Sequence, residues 1–202
     1  MALKRFPLEE YATLELNQVA FPKTGMVVSQ TPLGDAFTKD APCENGMWVV
    51  ADKAAKAINA PAAATDKPIG IVYTAEKEYD IFHYGLKKFG RKVAGDYPRV
   101  GILGVGDTVT TNCLQYDDSV FQAVTTSGSE KTSDEVLDAY LSALDDTNKA
   151  YVVISTKNGA KAGVPEIVKT LPNGYTGIYG RIVKYYTVPN GEKGVKYQII
   201  SL

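Results

Sequence analysis

Closely spaced turn signals constrain the fold of this chain more than any other sequence feature. Its 202 residues include 18 glycines and 10 prolines, and the dipeptide Asn-Gly occurs four times. Asn and Gly tolerate positive φ, which the tight turn of a β-hairpin requires. This punctuation is typical of a fold built from many short strands. The four pairs are Asn45-Gly46, Asn158-Gly159, Asn173-Gly174 and Asn190-Gly191.

The runs between these turns have the composition of strands. They are rich in Val, Ile, Thr and aromatic residues, which fit the pleated surface of a sheet. We predict strands at residues 26–29, 47–50, 69–74, 100–103, 108–111, 120–124 and 151–156. The Ala-rich stretch 53–67 contains Pro61, which disfavours a helix, so we predict a loop there.

The end of the chain predicts a β-hairpin. Val195, Tyr197 and Ile199 alternate with polar residues, so one face of this strand is buried and the other is wet. Residues 175–188 form its predicted partner, across a loop at residues 189–194.

One segment has helical periodicity. Thr132 and Glu135 have the spacing of a capping box, and the acidic residues that follow suit the start of a helix. We predict a helix over residues 133–145. Its apolar residues recur on one face: Val136, Leu137, Tyr140, Leu141 and Leu144.

These elements predict a mainly β, α+β fold with two domains. We expect a β-barrel or β-sandwich-like domain at residues 25–124, a linker at 125–132, and a small α+β domain at 133–202 with the helix and the hairpin. Residues 1–24 have no sustained period, and two interpretations stay open for them. They pack on the protein's own core, or they form an extended arm that docks on another subunit. In the second case Phe6, Tyr11 and Phe21 are the predicted interface residues.

Charge and hydropathy disfavour several kinds of partner. Lys and Arg total 22 against 23 for Asp and Glu, so the chain lacks the basic excess that a nucleic-acid phosphate backbone demands. No apolar run approaches the ~18 residues of a membrane span, and no membrane partner is expected. The basic cluster Lys87, Lys88, Arg91, Lys92 and Arg99 is the one local excess. A nucleic-acid groove, a contact with an acidic protein and a solvated face would all look like this.

The side chains that support catalysis or metal binding are scarce. His83 is the single histidine, and its aromatic neighbours favour a packed or surface role over a catalytic base. One His and two distant cysteines do not supply the four ligands of a zinc site. We expect Cys43 and Cys113 to be reduced, buried thiols. The sequence thus predicts no enzyme, no catalytic residue, no metal and no cofactor.

Three segments resemble the capsid cement proteins of tailed bacteriophages, which are also called decoration or head-stabilising proteins. The segments are residues 45–53, NGMWVVADK; 67–80, KPIGIVYTAEKEYD; and 96–112, DYPRVGILGVGDTVTTN. The resemblance covers roughly residues 25–124, and the remainder is similar only as an added small domain.

The resemblance implies a structural virion protein that binds the outer surface of the major capsid protein shell. It also implies a homo-oligomer, with a trimer as one arrangement, and no catalytic residues. Such a protein is synthesised in the bacterial cytoplasm and resides on the outside of the virion. The alternative is a head-fibre or tail-associated β-rich module that contacts the host surface.

Overall fold

The computed structural model describes residues 3–8, 12–14, 27–28, 31–52, 54–74, 92–126, 129–187 and 191–202. These residues form 13 strands and one helix, which confirms the predicted mainly β, α+β fold class. The strands are β1 (Leu3–Arg5), β2 (Val27–Val28), β3 (Trp48–Val50), β4 (Ile69–Val72), β5 (Val100–Ile102), β6 (Thr108–Thr111), β7 (Gln115–Asp117), β8 (Val124–Thr126), β9 (Ser129–Lys131), β10 (Tyr151–Val153), β11 (Glu166–Val168), β12 (Tyr179–Thr187) and β13 (Lys193–Ser201); α1 is Ser133–Ser142.

Two sheets organise the molecule. The larger has seven strands in the order β1-β7-β11-β10-β12-β13-β6, and the smaller has four in the order β2-β5-β4-β3. All neighbours pair antiparallel except β11 and β7, which are parallel. β8 and β9 form a separate two-stranded hairpin.

Each sheet has an apolar cluster. The larger cluster joins Trp48 of the small sheet to Tyr197 of the large one, and the Trp48 indole N–H donates to the Tyr197 hydroxyl at 2.9 Å. The second cluster lies around Met47, Val49 and Val100 and includes both cysteines. Because Trp48 belongs to the first cluster and Val49 to the second, β3 connects the two clusters.

The turn signals are confirmed at the residues the structure describes. The glycine of every Asn-Gly pair has positive φ, between 71° and 91°. Gly46 is also constrained by space: a Cβ at this position would lie 2.5 Å from the Cβ of Cys113. Only glycine therefore meets both the backbone and the packing requirement at this turn.

The helix and the C-terminal hairpin are also confirmed. Thr132 caps α1 in a capping box with Glu135, and Leu137 and Leu141 are buried in the larger cluster. The helix ends at Ser142, three residues before the predicted end. In the hairpin, β12 and β13 each carry one bulge, which leaves Val183 and Ile200 outside the regular pairing.

The large sheet contains strands from both sides of the predicted domain boundary. The large sheet interleaves β1, β6 and β7 with β10 to β13, so strands from both sides of the predicted linker share one sheet and one apolar cluster. The predicted linker contains most of the β8–β9 hairpin. The predicted strand at 120–124 is wrong except for Val124, since residues 118–121 form turns and a bend.

The N-terminal segment contacts both edges of the large sheet. β1 pairs with β7 at one edge, and Leu14 forms an isolated bridge with Thr111 of β6 at the other. Phe6, Ala12 and Leu14 are buried. These residues therefore belong to the protein's own fold, as the first of the two interpretations expected.

Candidate interaction surface

Tyr97 is the most exposed large hydrophobic side chain among the described residues, with 62% of its surface open to solvent. It precedes β5 and lies in the segment 96–112 that carries the family resemblance. Single exposed apolar side chains are ordinary on protein surfaces, so Tyr97 is a candidate contact because of its large ring with a polar tip and because of the ordered backbone beside it.

A tight turn fixes the backbone next to Tyr97. The Val93 amide donates to the Asp96 carboxylate at 2.9 Å, and the Asp96 amide donates to the Val93 carbonyl at 3.0 Å. Gly95 has a φ of 84°, which suits glycine at this turn.

The turn is tied to a second segment of the chain. The Leu33 amide donates to the Asp96 carbonyl at 2.9 Å, and the Gly95 amide donates to the Leu33 carbonyl at 3.0 Å. Tyr97 therefore projects from a braced turn and not from a loose loop.

Three side chains form what we call the Tyr97 patch: Tyr73, Tyr97 and Arg99. Pro98 is buried and restricts Tyr97 to extended backbone. The Arg99 guanidinium lies 5.7 Å from the centre of the Tyr73 ring, and its amide donates to the Thr74 hydroxyl at 3.2 Å. Burial raises the pKa of the Tyr73 hydroxyl although Arg99 opposes the shift, so Tyr73 is neutral at pH 7.

The patch is suited to binding a protein surface. Tyr and Arg are the residues most often found at the energetic centres of protein interfaces, since both offer large contact area and directed hydrogen bonds. Its braced backbone reduces the entropy lost on binding. Arg99 and Lys92 also belong to the predicted basic cluster; Lys87, Lys88 and Arg91 lie outside the described residues.

The three predicted interface residues have different outcomes. Phe6 is only 1% exposed and packs edge-on against Tyr185 at a ring distance of 6.3 Å, so it has no free surface for another subunit. Tyr11 and Phe21 lie outside the described residues.

Buried carboxylates lie in two ion-pair clusters. In the first, the Lys157 ammonium lies 2.8 Å from the Asp117 carboxylate and 2.5 Å from the Glu166 carboxylate. The pKa of Asp117 is lowered even though desolvation opposes it, because Lys157 and Ser119 stabilise the charged form. The same contacts raise the pKa of Lys157. Asp117 and Lys157 therefore stay charged at neutral pH, which fits a structural clamp better than an acid–base pair.

The second cluster holds the N-terminal segment. The Glu44 carboxylate lies 2.6 Å from the Lys161 ammonium and 3.1 Å from the Arg5 guanidinium. It also accepts a hydrogen bond from the Ala12 amide at 3.3 Å. Despite desolvation, these partners lower the pKa of Glu44. One buried carboxylate thus ties β1 and residue 12 to the loop that carries Lys161.

The other groups considered for chemistry are inert or outside the described residues. Cys43 and Cys113 are free and buried, and burial raises the pKa of Cys113 to about 11. Burial raises the pKa of Cys43 further still.

His83 lies outside the described residues. In the described part of the chain, no three His, Cys, Asp or Glu side chains are grouped to hold a metal ion. No described helix is long and apolar enough to cross a membrane.

No protein-family description, curated protein or solved structure matches this chain.

In the sequence, Tyr97 is one of the aromatic residues interleaved with the basic cluster, but it was not predicted as an interface residue. The available signal was an aromatic residue between a turn-forming Gly-Asp pair and a proline, at residues 95–98. That pattern predicts an extended residue beside a turn, but the exposure of the ring depends on which neighbours fold over it.

Proposed function

We propose that this protein is a structural virion protein that binds the outer surface of a phage major capsid shell and stabilises it. The role requires no catalytic residue and no cofactor. The protein would be synthesised in the host cytoplasm and would reside on the outside of the virion.

The observation that carries the proposal is the position of Tyr97 within the segments that resemble cement proteins. The described parts of these segments contain β3, β4, β5 and β6, and the first three are consecutive neighbours in the small sheet. Three of these four strands are therefore neighbours in the small sheet, whereas β6 lies at the edge of the large sheet. Tyr97, which precedes β5, is the proposed contact with the shell.

The proposed mechanism is mass action. A protein that binds the assembled shell, and not its dispersed subunits, stabilises the shell by an amount set by its free concentration relative to its dissociation constant. Each contact can be modest because many copies occupy one particle.

Binding to purified capsids that lack the protein tests the proposal. We expect the full chain to co-sediment with the capsids and to raise their disruption temperature. Tyr97→Ala is expected to weaken this binding on the order of tenfold or more, as truncation of an interface centre does, while the variant melts like the unaltered protein.

Val120→Ala is the matched control, because Val120 is an exposed apolar residue outside the patch. Equal affinity of the Tyr97 and Val120 variants would exclude the Tyr97 patch as the contact. Failure of the unaltered chain to bind capsids would reject the function itself.

A further inference from the structure

The C-terminal hairpin and the helix α1 carry opposite charge. The two nine-residue strands β12 and β13 contain four basic residues and no acidic residue. The ten residues of α1 contain three acidic residues and no basic one. The chain as a whole has a net charge of −1, so its charges nearly cancel. The hairpin and α1 therefore stand out as a basic and an acidic element.

The outer face of the hairpin holds two like charges directly opposite each other. Lys184 of β12 pairs in register with Lys196 of β13. Facing like charges destabilise a sheet. Among the described residues neither lysine has an ion-pair partner. The Lys184 ammonium lies 5.4 Å from the centre of the Tyr186 ring, a cation–π contact that offsets part of this cost. Like charges that remain opposite each other on an exposed face break a local rule of sheet design, as functional surfaces often do.

The bulge beside Lys184 presents an apolar side chain. Val183 is the extra residue of the β12 bulge and is 51% exposed. The hairpin therefore offers a valine and a lysine side by side, which we call the Val183–Lys184 bulge.

A groove of complementary character lies on the other side of the hairpin. Its apolar lining comes from Phe6, Pro7, Leu137 and Tyr185, and three carboxylates of α1 border it: Asp134, Glu135 and Asp138. Lys193 also lines it. We call it the α1 groove.

The α1 groove is ordered and small. The Tyr185 hydroxyl donates to Asp138, and the Tyr116 hydroxyl donates to Asp134, so two of its carboxylates are held in place. Its volume of about 230 Å³ is below the ~300 Å³ at which small-molecule pockets begin. It therefore suits one or two side chains of a protein better than a free ligand.

We propose that the Val183–Lys184 bulge of one molecule docks in the α1 groove of a second copy of this chain. Phe6 and Leu137 are each only 1% exposed, so Val183 packs on Pro7 and Tyr185, the accessible apolar residues of the lining. The Lys184 ammonium approaches Asp138 and Asp134. The contact brings Lys184 close to two carboxylates, which offsets its repulsion with Lys196. It also covers Tyr185.

The two surfaces lie on opposite faces of the same hairpin, which sets the symmetry of the contact. Lys184 and Lys196 share the outer face, whereas Tyr185 and Val195 point towards the core with Leu137. The contact is thus head-to-tail, and such contacts form a closed ring when the rotation between copies closes. This self-association does not depend on the proposed function, since it requires no capsid.

Sedimentation velocity of the full chain at low and high salt tests the proposal. We expect a concentration-dependent oligomer that weakens as salt rises, because the contact includes exposed charges. Lys184→Glu is expected to weaken association at least tenfold, since it places a carboxylate against Asp138. Lys149→Glu, a charge reversal outside the bulge, is the matched control and should associate like the unaltered chain.

A second variant makes the test independent of misfolding. Asp138→Lys is expected to be monomeric on its own, like Lys184→Glu. A 1:1 mixture of the two should associate, because the intact bulge of the Asp138 variant fits the intact groove of the Lys184 variant. Misfolding of either variant would prevent this recovery, and circular dichroism checks it directly.

Three results would overturn the proposal. They are a full chain that is monomeric at all concentrations, a Lys184→Glu variant that associates like the unaltered protein, and a mixture that stays monomeric although both variants are folded. Unchanged association together with lost capsid binding in Lys184→Glu would assign the basic face to the shell instead.

Discussion

The Lys157 ammonium neutralises two buried carboxylates, so a substitution of Lys157 should lower the stability of the fold. Asp117 and Glu166 are each 2% exposed, whereas the lysine side chain is 45% exposed. Removing one partner of a buried ion pair leaves an uncompensated buried charge, which costs about 3–5 kcal/mol when both partners are buried.

We predict that Lys157→Met lowers the free energy of unfolding by about 2 kcal/mol at pH 7, less than for a fully buried pair because solvent screens the lysine. Urea unfolding measures it. Lys4→Met is the matched control: its 3.9 Å contact with Asp118 is partly exposed, so its loss should cost less than about 0.5 kcal/mol.

The same variant has a defined pH dependence. Because the folded pKa of Asp117 is lowered, its contribution is fully present above the unfolded carboxyl pKa of about 3.9 and is lost as pH falls through the folded value. The difference between Lys157→Met and the unaltered chain should therefore shrink below about pH 4. A difference that stays constant to pH 2 would show that packing, and not charge, explains the effect.

The thiols should be unreactive in the folded protein. Burial raises the pKa of Cys113 to about 11 and that of Cys43 still higher, so both are protonated at pH 8. We predict no alkylation within minutes under native conditions and two labelled thiols after denaturation without reductant. One or no labelled thiol after denaturation would indicate a disulfide or another modification.

At the scale of single elements, α1 provides the clearest stability test. Thr132→Ala removes the hydroxyl that accepts the Glu135 amide at 3.3 Å, and we predict a loss of about 1 kcal/mol. Leu141→Asp places a charge in the larger cluster and should cost several times more. Thermal and urea unfolding measure both. Similar small effects for the two variants would be inconsistent with a packed, capped helix.

Elements with a strong local signal were predictable from the sequence. The capping box fixes the start of α1, and alternating burial identifies β13 from Val195, Tyr197 and Ile199. The four Asn-Gly pairs located turns because positive φ is a local demand on the backbone. In each case the structure depends on neighbours within a few residues.

Short strands that depend on distant partners were not predictable. β1, β7 and β11 have three residues each and depend on pairing with distant strands. β1 and β7 pair across more than 100 residues of sequence, and β7 and β11 pair across about 50. Gln115 and Asp117 are polar yet buried, since their hydrogen-bond partners come from the loop at residues 157–164. No local sequence pattern predicts such distant partners. The exposure of Tyr97 is unpredictable for the same reason.

At the scale of the whole molecule, the described N-terminal residues 3–8 and 12–14 contribute to the core and do not form a free arm. Phe6 lies in the larger cluster, Arg5 pairs with Glu44, and Leu14 bridges β6. Phe→Ala in a core alone costs about 3–5 kcal/mol, and a domain of ordinary stability has only about 5–15 kcal/mol to lose.

We therefore predict that deletion of residues 1–14 leaves a chain without a cooperative thermal transition, as seen by circular dichroism. Phe6→Ala should show a graded loss of about 3–5 kcal/mol, and the exposed Pro7→Ala should change little. A truncated protein that melts near the temperature of the full chain would restore the interpretation of this segment as a docking arm.

The proposed shell contact can be located directly on the particle. The measurement is electron microscopy of virions or capsids that carry a labelled copy of this protein, compared with particles that lack it. We predict regularly spaced density over the outer face of the shell, with the small sheet and Tyr97 towards the capsid surface. Density confined to the tail tip or to sparse fibres, with a bare shell, would contradict the account and favour the host-contacting alternative.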